Sequence, residues 1–369
     1  MRIEQYGHGG DRITAAEAFN RREDEFLDFS ANINPLGPPP HVLARIQHHI
    51  SSIIHYPDPA HRLFKQRLAD RLQVDESSLL VGNGAAECMA LALLAFQPKK
   101  VGVMDPCFSE YRSLAEQFGA QVESVQGLPE EGFLPELEQV HPLFSRCDLI
   151  FVGHPNNPTG MMYTLESLQT MARWAEASHT WLVIDEAFID FLPEAQQLTL
   201  LHSLDVYTKV ILIRSLTKFY AIPGLRLGFS AAHPEAIRRM KGVQVTWSVN
   251  SLALAAGEAC LQETDYHQNT RELIATERDY LSGNIQEELG WKVWPGKANF
   301  LLVRLPDGLT AEELQLRLGL QGILIRNCSM YRGLTAHDFR IAVRNREDNE
   351  KLLHAFIQTV NERAEGEAE

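Results

Sequence analysis

The fold is constrained above all by a series of short apolar segments that alternate with helical patterns. Three of these segments, 149–152, 181–184 and 210–213, are fully apolar and lack the apolar–polar alternation of a half-buried strand. Such runs are typical of parallel strands covered by helices on both faces. The intervening residues 85–96 and 109–118 predict helices. The pattern as a whole predicts an α/β domain with a doubly wound, mostly parallel sheet. The predicted strands are 78–81, 100–104, 149–152, 181–184 and 210–213.

A different pattern begins near residue 250. A long helical stretch is predicted from 251 toward 288, and short strands and helices follow it, as in a smaller α+β unit. Because 369 residues exceed what one hydrophobic core usually serves, we expect two domains. We assign 46–255 to a large domain, and 1–45 with 256–369 to an N-terminal arm and a small C-terminal domain. The later predicted elements are strands 299–303, 322–325 and 339–343 and helices from Thr310 and Arg346.

Charge and cysteine usage exclude several classes of function. A net charge of −14 argues against non-specific nucleic-acid binding. No apolar run reaches the ~18 residues of a membrane span, and the first residues lack the apolar core of a signal peptide. We therefore expect a cytoplasmic protein with no nucleic-acid or membrane partner. The five scattered cysteines, and histidines such as His48, His49 and His141, lack metal-ligand spacing, so we expect no metal.

Ligands of open α/β sheets bind beyond the carboxyl ends of the strands, so the residues that follow each strand are informative. The first strand is followed by Gly82 and Gly84, which open the helix predicted from residue 85. Glycine backbone and free N–H groups at a helix start are suited to phosphate. A dinucleotide site is an alternative because Asp105 lies about 20 residues on. However, Glu87 stands where that motif has its third glycine, and a plain turn is the third alternative.

Two further strand ends carry amides and an acid. Strand 149–152 leads into a rigid loop with Asn157, for which a tight turn is the alternative interpretation. Strand 181–184 leads into Asp185, and an acid at the end of a buried strand is costly unless it is paired. A protonated pyridine nitrogen would be a suitable partner, whereas a helix N-cap is the alternative.

The last apolar strand leads to Lys218. A lysine in apolar surroundings has a lowered pKa and becomes a nucleophilic amine, suited to forming a Schiff base. Ser215, Thr217 and Arg226 lie close to it in the sequence and are typical phosphate ligands. A glycine turn, an amide loop, an acid and a lysine at one sheet edge together predict a pyridoxal 5′-phosphate site.

These motifs resemble those of fold-type I pyridoxal-phosphate enzymes. The resemblance rests on segments 156–160, 185–187, 215–218 and 224–228, and it covers nearly the whole chain. It implies an aminotransferase-like architecture with the cofactor in the large domain. It also implies that Lys218 binds the cofactor covalently.

The resemblance implies roles for further residues. Asp185 would pair with the pyridine nitrogen, Asn157 would bond the ring oxygen, and Phe108 would stack on the ring. Tyr56 would come from the second subunit of a homodimer with shared active sites. The implied cofactor phosphate ligands are Gly84, Ala85, Ala86, Ser215, Thr217 and Arg226.

Segments 8–10, 27–37, 185–191 and 247–250 more closely resemble the threonine-phosphate decarboxylases of cobalamin biosynthesis. This implies decarboxylation of L-threonine O-3-phosphate to (R)-1-amino-2-propanol O-2-phosphate. The related histidinol-phosphate aminotransferases usually have tyrosine where this chain has Phe188. An aminotransferase remains the first alternative. A ligand-sensing module of a DNA-binding regulator is the second, against which the acidic charge argues.

The same resemblance implies a substrate site rich in cationic side chains. Arg340 would hold the substrate carboxylate, and Arg332 is a further candidate for the phosphate. Asp11 is excluded because its carboxylate would repel a phosphate. The implied substrate-binding residues are His8, Asn32, Tyr56, Asn157, Arg326 and Arg340.

Overall fold

The structure, a computed structural model, describes residue 3 and residues 9–366, with side chains through 363. His8 therefore lies outside the described residues. The strands are β1 (Leu27–Asp28), β2 (Leu79–Gly82), β3 (Lys100–Asp105), β4 (Gln121–Gln126), β5 (Leu149–Gly153), β6 (Trp181–Asp185), β7 (Val210–Ser215), β8 (Gly228–Ala232), β9 (Lys292–Val293), β10 (Phe300–Arg304), β11 (Ile323–Leu324), β12 (Arg326–Asn327) and β13 (Asp338–Ala342).

A seven-stranded sheet in the order β2-β8-β7-β6-β5-β3-β4 forms the centre of the large unit. Every strand except β8 runs in the same direction, because β8 pairs antiparallel with both of its neighbours. The predicted α/β fold with a mostly parallel sheet is thus confirmed. All residues of β2, β5 and β7 are buried, as their apolar runs predicted.

The strand order does not fit the dinucleotide-binding alternative. Such a site needs β2 and β3 to be adjacent parallel strands, but β2 lies at one edge of the sheet and β3 is next to the other edge. The acid that the motif requires, Asp105, is instead paired with Arg112 at 3.0 Å.

Helices cover both faces of this sheet and build much of the remaining chain. One prediction was wrong here, since the helix expected from 251 toward 288 is broken at residues 261–263. The helices are α1 (Arg12–Phe19), α2 (Pro40–His49), α3 (Arg62–Leu72), α4 (Ala85–Phe96), α5 (Ser109–Gln117), α6 (Leu137–Arg146), α7 (Leu165–Ser178), α8 (Leu216–Phe219), α9 (Pro234–Val243), α10 (Ser251–Cys260), α11 (Thr264–Leu289), α12 (Ala311–Leu320) and α13 (Arg346–Gly366).

The C-terminal part contains a four-stranded antiparallel sheet in the order β12-β13-β10-β9. The strand predicted at 322–325 is shorter in the structure, because β11 contains only Ile323–Leu324, and it pairs with β1. The following strand, β12, lies outside the predicted range and pairs with β13 in the four-stranded sheet. The β1–β11 pairing attaches the N-terminal arm to this part of the chain. The proposed domain boundaries at 46 and 255 remain a prediction. Within the described part of the chain, no helix has the length and apolar character to cross a membrane.

Candidate active site

Residues from five strand ends meet at two adjoining cavities. The inner cavity, of about 80 Å³, lies at the carboxyl ends of the central strands. The outer cavity, of about 700 Å³, opens toward the N-terminal arm and the four-stranded sheet. The residues that line both are Ala86, Phe108, Asn157, Phe188, Lys218 and Arg226. The structure thus brings together side chains that the sequence placed after separate strands.

Lys218 is presented by the one-turn helix α8, which follows β7 directly. Its Nζ lies 5.4 Å from the centre of the Phe188 ring. Burial lowers the pKa of the Lys218 amine, and the positive charges of Arg226 and Arg340 lower it further, although Asp185 opposes the shift. The amine therefore has more of its reactive, neutral form at a given pH than an exposed lysine.

Asp185 is the last residue of β6 and is 7% exposed. Its carboxylate accepts a hydrogen bond from the Tyr111 hydroxyl at 2.7 Å and one from the Ala187 backbone N–H at 3.0 Å. Burial raises the pKa of Asp185, whereas these bonds and the nearby Lys218 counteract that rise. A buried carboxylate held in this way is ready to pair with a cation.

Arg340 lies in the wall of the outer cavity, where two hydrogen bonds hold its side chain. Its guanidinium donates to Asn157 Oδ1 at 2.5 Å and to the Ser30 carbonyl at 2.8 Å. Arg340 is 5% exposed, and its Nε has no hydrogen-bond partner among the described residues. It stands directly opposite Arg326 in the β12–β13 pairing, and both side chains line the cavity.

The comparisons with known proteins agree with this geometry. Residues 24–356 match the family model "Aminotransferase class I and II". The chain belongs to this family. It is 36% identical to a threonine-phosphate decarboxylase of Salmonella typhimurium over 357 residues, which cover 96% of this chain and 97% of that protein. It is 31% identical to a histidinol-phosphate aminotransferase of Symbiobacterium thermophilum, over 92% of this chain and 91% of that one.

A solved structure shows the same architecture. The histidinol-phosphate aminotransferase of Clostridium acetobutylicum superimposes with a TM-score of 0.85 and 29% identity, over 91% of this chain and 99% of that one. Enzymes of this family carry pyridoxal 5′-phosphate on a lysine, so the chain is a pyridoxal-phosphate-dependent enzyme. The enzyme class and the cofactor predicted from the sequence are confirmed.

The residues of the inner cavity fit this cofactor. Asp185 suits the pyridinium nitrogen, and Lys218 is the lysine on the cavity wall. Gly84 precedes α4 with φ of 83°, and a Cβ at this position would lie 2.6 Å from Arg226 Nη2. Only glycine therefore lets the guanidinium approach the start of α4, where backbone N–H groups are suited to a phosphate.

We expect Gly84→Ala to weaken cofactor binding. The backbone at Gly84 has φ 83° and ψ 169°, a region nearly restricted to glycine, so alanine should cost about 1–3 kcal/mol. Displacement of Arg226 should raise the Kd for pyridoxal phosphate ~10-fold, equivalent to ~1.4 kcal/mol. Titration of cofactor-free protein measures this Kd. Gly242→Ala, on α9 with open space around it, is the matched control and should leave the Kd unchanged.

Not every residue predicted for the site lines the cavities. Thr217 is buried, and its hydroxyl pairs with Ser215 Oγ at 2.7 Å. Tyr56 is 80% exposed and stacks on Trp247 with ring centres 4.5 Å apart. Arg332 is exposed and outside both linings.

The N-terminal arm contributes Asn32 to the lining of the outer cavity, which does not include Asp11. Asn32 lines the outer cavity, is 7% exposed, and its Oδ1 has no hydrogen-bond partner in the described part of the chain. Asp11 caps α1, with its carboxylate accepting from the Thr14 hydroxyl at 2.6 Å and the Thr14 N–H at 3.1 Å. The exclusion of Asp11 from the substrate-binding residues stays a prediction.

Sequence reasoning missed several residues of the site, among them Tyr111, Arg12, Tyr331 and Arg344. Tyr111 holds Asp185, while Arg12, Tyr331 and Arg344 line the outer cavity. Tyr111 lies in a correctly predicted helix, where an aromatic residue is typical of the core. No local pattern marks it as a partner of a carboxylate 74 positions away.

Proposed function

We propose that the enzyme decarboxylates L-threonine O-3-phosphate to (R)-1-amino-2-propanol O-2-phosphate, a reaction of cobalamin biosynthesis. The observation that carries the proposal is the pair of buried arginines, Arg326 and Arg340, in the cavity that also contains Lys218. The 36% identity to a threonine-phosphate decarboxylase over 96% of the chain supports it.

The arginine pair indicates a ligand with two anionic groups. Like charges directly opposite each other on neighbouring strands are destabilising, and Arg326 and Arg340 are such partners. Arg340 is only 5% exposed, and a charge buried to this degree is costly unless it is paired. The groups that accept from Arg340, Asn157 Oδ1 and the Ser30 carbonyl, are neutral. A substrate with a carboxylate and a phosphate would bring negative charge to this pair.

The chemistry divides between the cofactor and the chain. When bound, pyridoxal phosphate supplies an electron sink for the pair left by a bond broken at the substrate α-carbon. Arg340, fixed by Asn157 and Ser30, would orient the substrate carboxylate. Lys218 Nζ, with its lowered pKa, would carry a proton within the cavity. Which α-carbon bond is aligned for cleavage decides between decarboxylation and transamination.

An aminotransferase is the second candidate, and the 31% identical histidinol-phosphate aminotransferase favours it. Phe188 argues for the decarboxylase. Its ring packs edge-on against Phe300 at 5.0 Å and borders Lys218, and it lacks the hydroxyl that those aminotransferases usually present here. The cavity thus has an apolar wall at this point.

We also propose a homodimer with shared active sites. Tyr56, which the family resemblance assigns to the neighbouring subunit, is exposed in the single chain. It lies in an exposed apolar surface with Ile53, Ile54 and Trp247, which are 61%, 79% and 46% exposed. Contiguous apolar surface of this kind is typical of protein interfaces.

The reaction is tested by supplying L-threonine O-3-phosphate to the purified enzyme without any keto acid. We expect carbon dioxide release and one equivalent of the amino alcohol phosphate. The parallel assay offers histidinol phosphate with 2-oxoglutarate and follows glutamate. Glutamate formation without carbon dioxide release would replace the decarboxylase with the aminotransferase. If the enzyme contains bound cofactor and forms no product in either assay, both proposed reactions are contradicted.

A further inference from the structure

A buried polar network lies beneath the helix that carries Lys218. This helix, α8, has four residues, Leu216–Phe219; its Lys218 carbonyl accepts locally from the Ala221 N–H at 3.3 Å, whereas its Phe219 carbonyl accepts from elsewhere in the fold. The Phe219 carbonyl accepts from Asn34 Nδ2 at 2.8 Å and from the Tyr266 hydroxyl at 3.0 Å. The Lys218 carbonyl accepts from the Asn34 backbone N–H at 3.1 Å. Asn34 therefore holds two consecutive carbonyls of the lysine helix.

Asn34 is itself rigidly held. It is 2% exposed, and its Nδ2 also lies 2.9 Å from the Tyr266 hydroxyl and 2.8 Å from Thr270 Oγ1 on α11. Its Oδ1 accepts from the Leu36 N–H at 3.1 Å. Each polar atom of the side chain thus has a partner, so the amide has a single well-defined orientation.

We propose that Asn34 is a positioning residue for Lys218. A helix of one turn has little stability of its own, so tertiary contacts must fix its orientation. The hydrogen bonds from Asn34 reach the Lys218 carbonyl and the next one, and therefore set the direction in which the lysine side chain leaves the backbone. Loss of the side-chain amide would remove the bond to the Phe219 carbonyl and keep the backbone bond to the Lys218 carbonyl, so α8 would pivot about the remaining bond and displace Nζ from its place beside Phe188.

The same arm segment also positions Arg340. Four residues before Asn34, the Ser30 carbonyl accepts from Arg340 Nη2 at 2.8 Å. Between them, the Asn32 carbonyl accepts from Asn299 Nδ2 at 3.1 Å. Residues 30–34 therefore connect the cofactor lysine with the arginine assigned to the substrate carboxylate. The arm fixes these two groups relative to each other.

The inference rests on Lys218 as the cofactor lysine, not on which reaction follows. Its test therefore measures the bound cofactor as well as turnover. The visible absorbance of the lysine-bound cofactor is titrated with pH in wild type and in Asn34→Ala. We expect a shifted titration midpoint, because the lysine leaves the backbone at a different angle. We also expect kcat to fall about 10- to 100-fold, as for a misplacement near 1 Å, with KM little changed.

Thr270→Val is the matched control. It removes another partner of the same amide, in a fully buried position, without removing a bond to α8. Thermal unfolding shows whether the two variants are comparably destabilised. We expect the control to keep the wild-type midpoint and kcat. An equal shift in Thr270→Val, or wild-type values in Asn34→Ala, would overturn the proposal.

A second variant covers the case in which Asn34→Ala does not fold. Tyr266→Phe keeps Asn34 and deletes a hydroxyl whose single hydrogen is shared between the Gly37 carbonyl at 2.8 Å and the Phe219 carbonyl at 3.0 Å. We expect a midpoint shift and a fall in kcat that are both smaller than those expected for Asn34→Ala, because Asn34 still donates to the Phe219 carbonyl. An unchanged midpoint and kcat in Tyr266→Phe would count against the positioning role. Failure of the decarboxylase assay alone would leave this result intact.

Discussion

Lys218→Ala is expected to abolish the visible absorbance of the covalently bound cofactor and nearly all turnover. Of the residues that line the inner cavity, Lys218 is the one with an amine, and burial lowers its pKa, so more of the amine is in the neutral, nucleophilic form than in an exposed lysine. The variant loses both the covalent link and a group placed to move a proton. Loss of a positioned proton-transfer group alone costs about 10²- to 10⁴-fold, so the fall in kcat should be at least that large.

The controls for this prediction separate chemistry from charge and stability. Lys218→Arg keeps the positive charge but cannot form the covalent link, so it should behave like the alanine variant. Lys351→Ala removes an exposed lysine that pairs with Glu347 on α13. It should keep full absorbance and activity, because such surface pairs contribute about 0.3–0.5 kcal/mol. Persistence of the covalent absorbance in Lys218→Ala would assign the cofactor to another lysine.

The sequence predicted the central sheet well where strands are buried on both faces. β5 and β7 are apolar over most of their length, and every residue in them is buried. Their sequences therefore show a continuous apolar run and no alternation of apolar and polar residues. β4 was missed because its polar residues are largely exposed at the sheet edge. β8 was missed because four of its five residues are Gly, Ser or Ala, which carry no strong strand preference. It is tertiary pairing with β2 and β7 that makes this segment a strand.

The candidate site was predictable where one physical rule applied, namely that ligands bind at the carboxyl ends of strands. That rule predicts from the sequence alone that Asp185, Asn157 and Lys218 lie close together, and all three line the inner cavity. The rule does not identify Tyr111, which binds Asp185, Arg12, which lines the outer cavity, or Asn34, which binds the helix that carries Lys218. Their roles depend on how α5, the arm and α11 pack against the sheet, and no local spacing encodes that packing.

Arg340→Ala is expected to produce the second largest loss, and to lower kcat/KM for L-threonine O-3-phosphate about 10²-fold or more. Loss of one partner from a buried, hydrogen-bonded charge pair costs about 2–5 kcal/mol, and each 1.36 kcal/mol corresponds to about tenfold in rate. Arg340 is a strong candidate for such a partner, because no described carboxylate neutralises it and its Nε is buried without a partner. Arg340→Lys should be nearly as impaired, since an ammonium lacks the planar fork that grips a carboxylate.

A second measurement shows whether the loss arises from the expected charge. The positive charge of Arg340 lowers the pKa of the Lys218 amine, so its removal should raise that pKa toward the ordinary lysine value. In cofactor-free protein the pH midpoint for acylation of Lys218 should therefore move upward in Arg340→Ala, and less in Arg340→Lys. Arg317→Ala, which removes a half-exposed arginine on α12, should change neither quantity. An unaltered kcat/KM in Arg340→Ala would mean that another cation binds the carboxylate, and the arginine pair would no longer support a doubly anionic substrate.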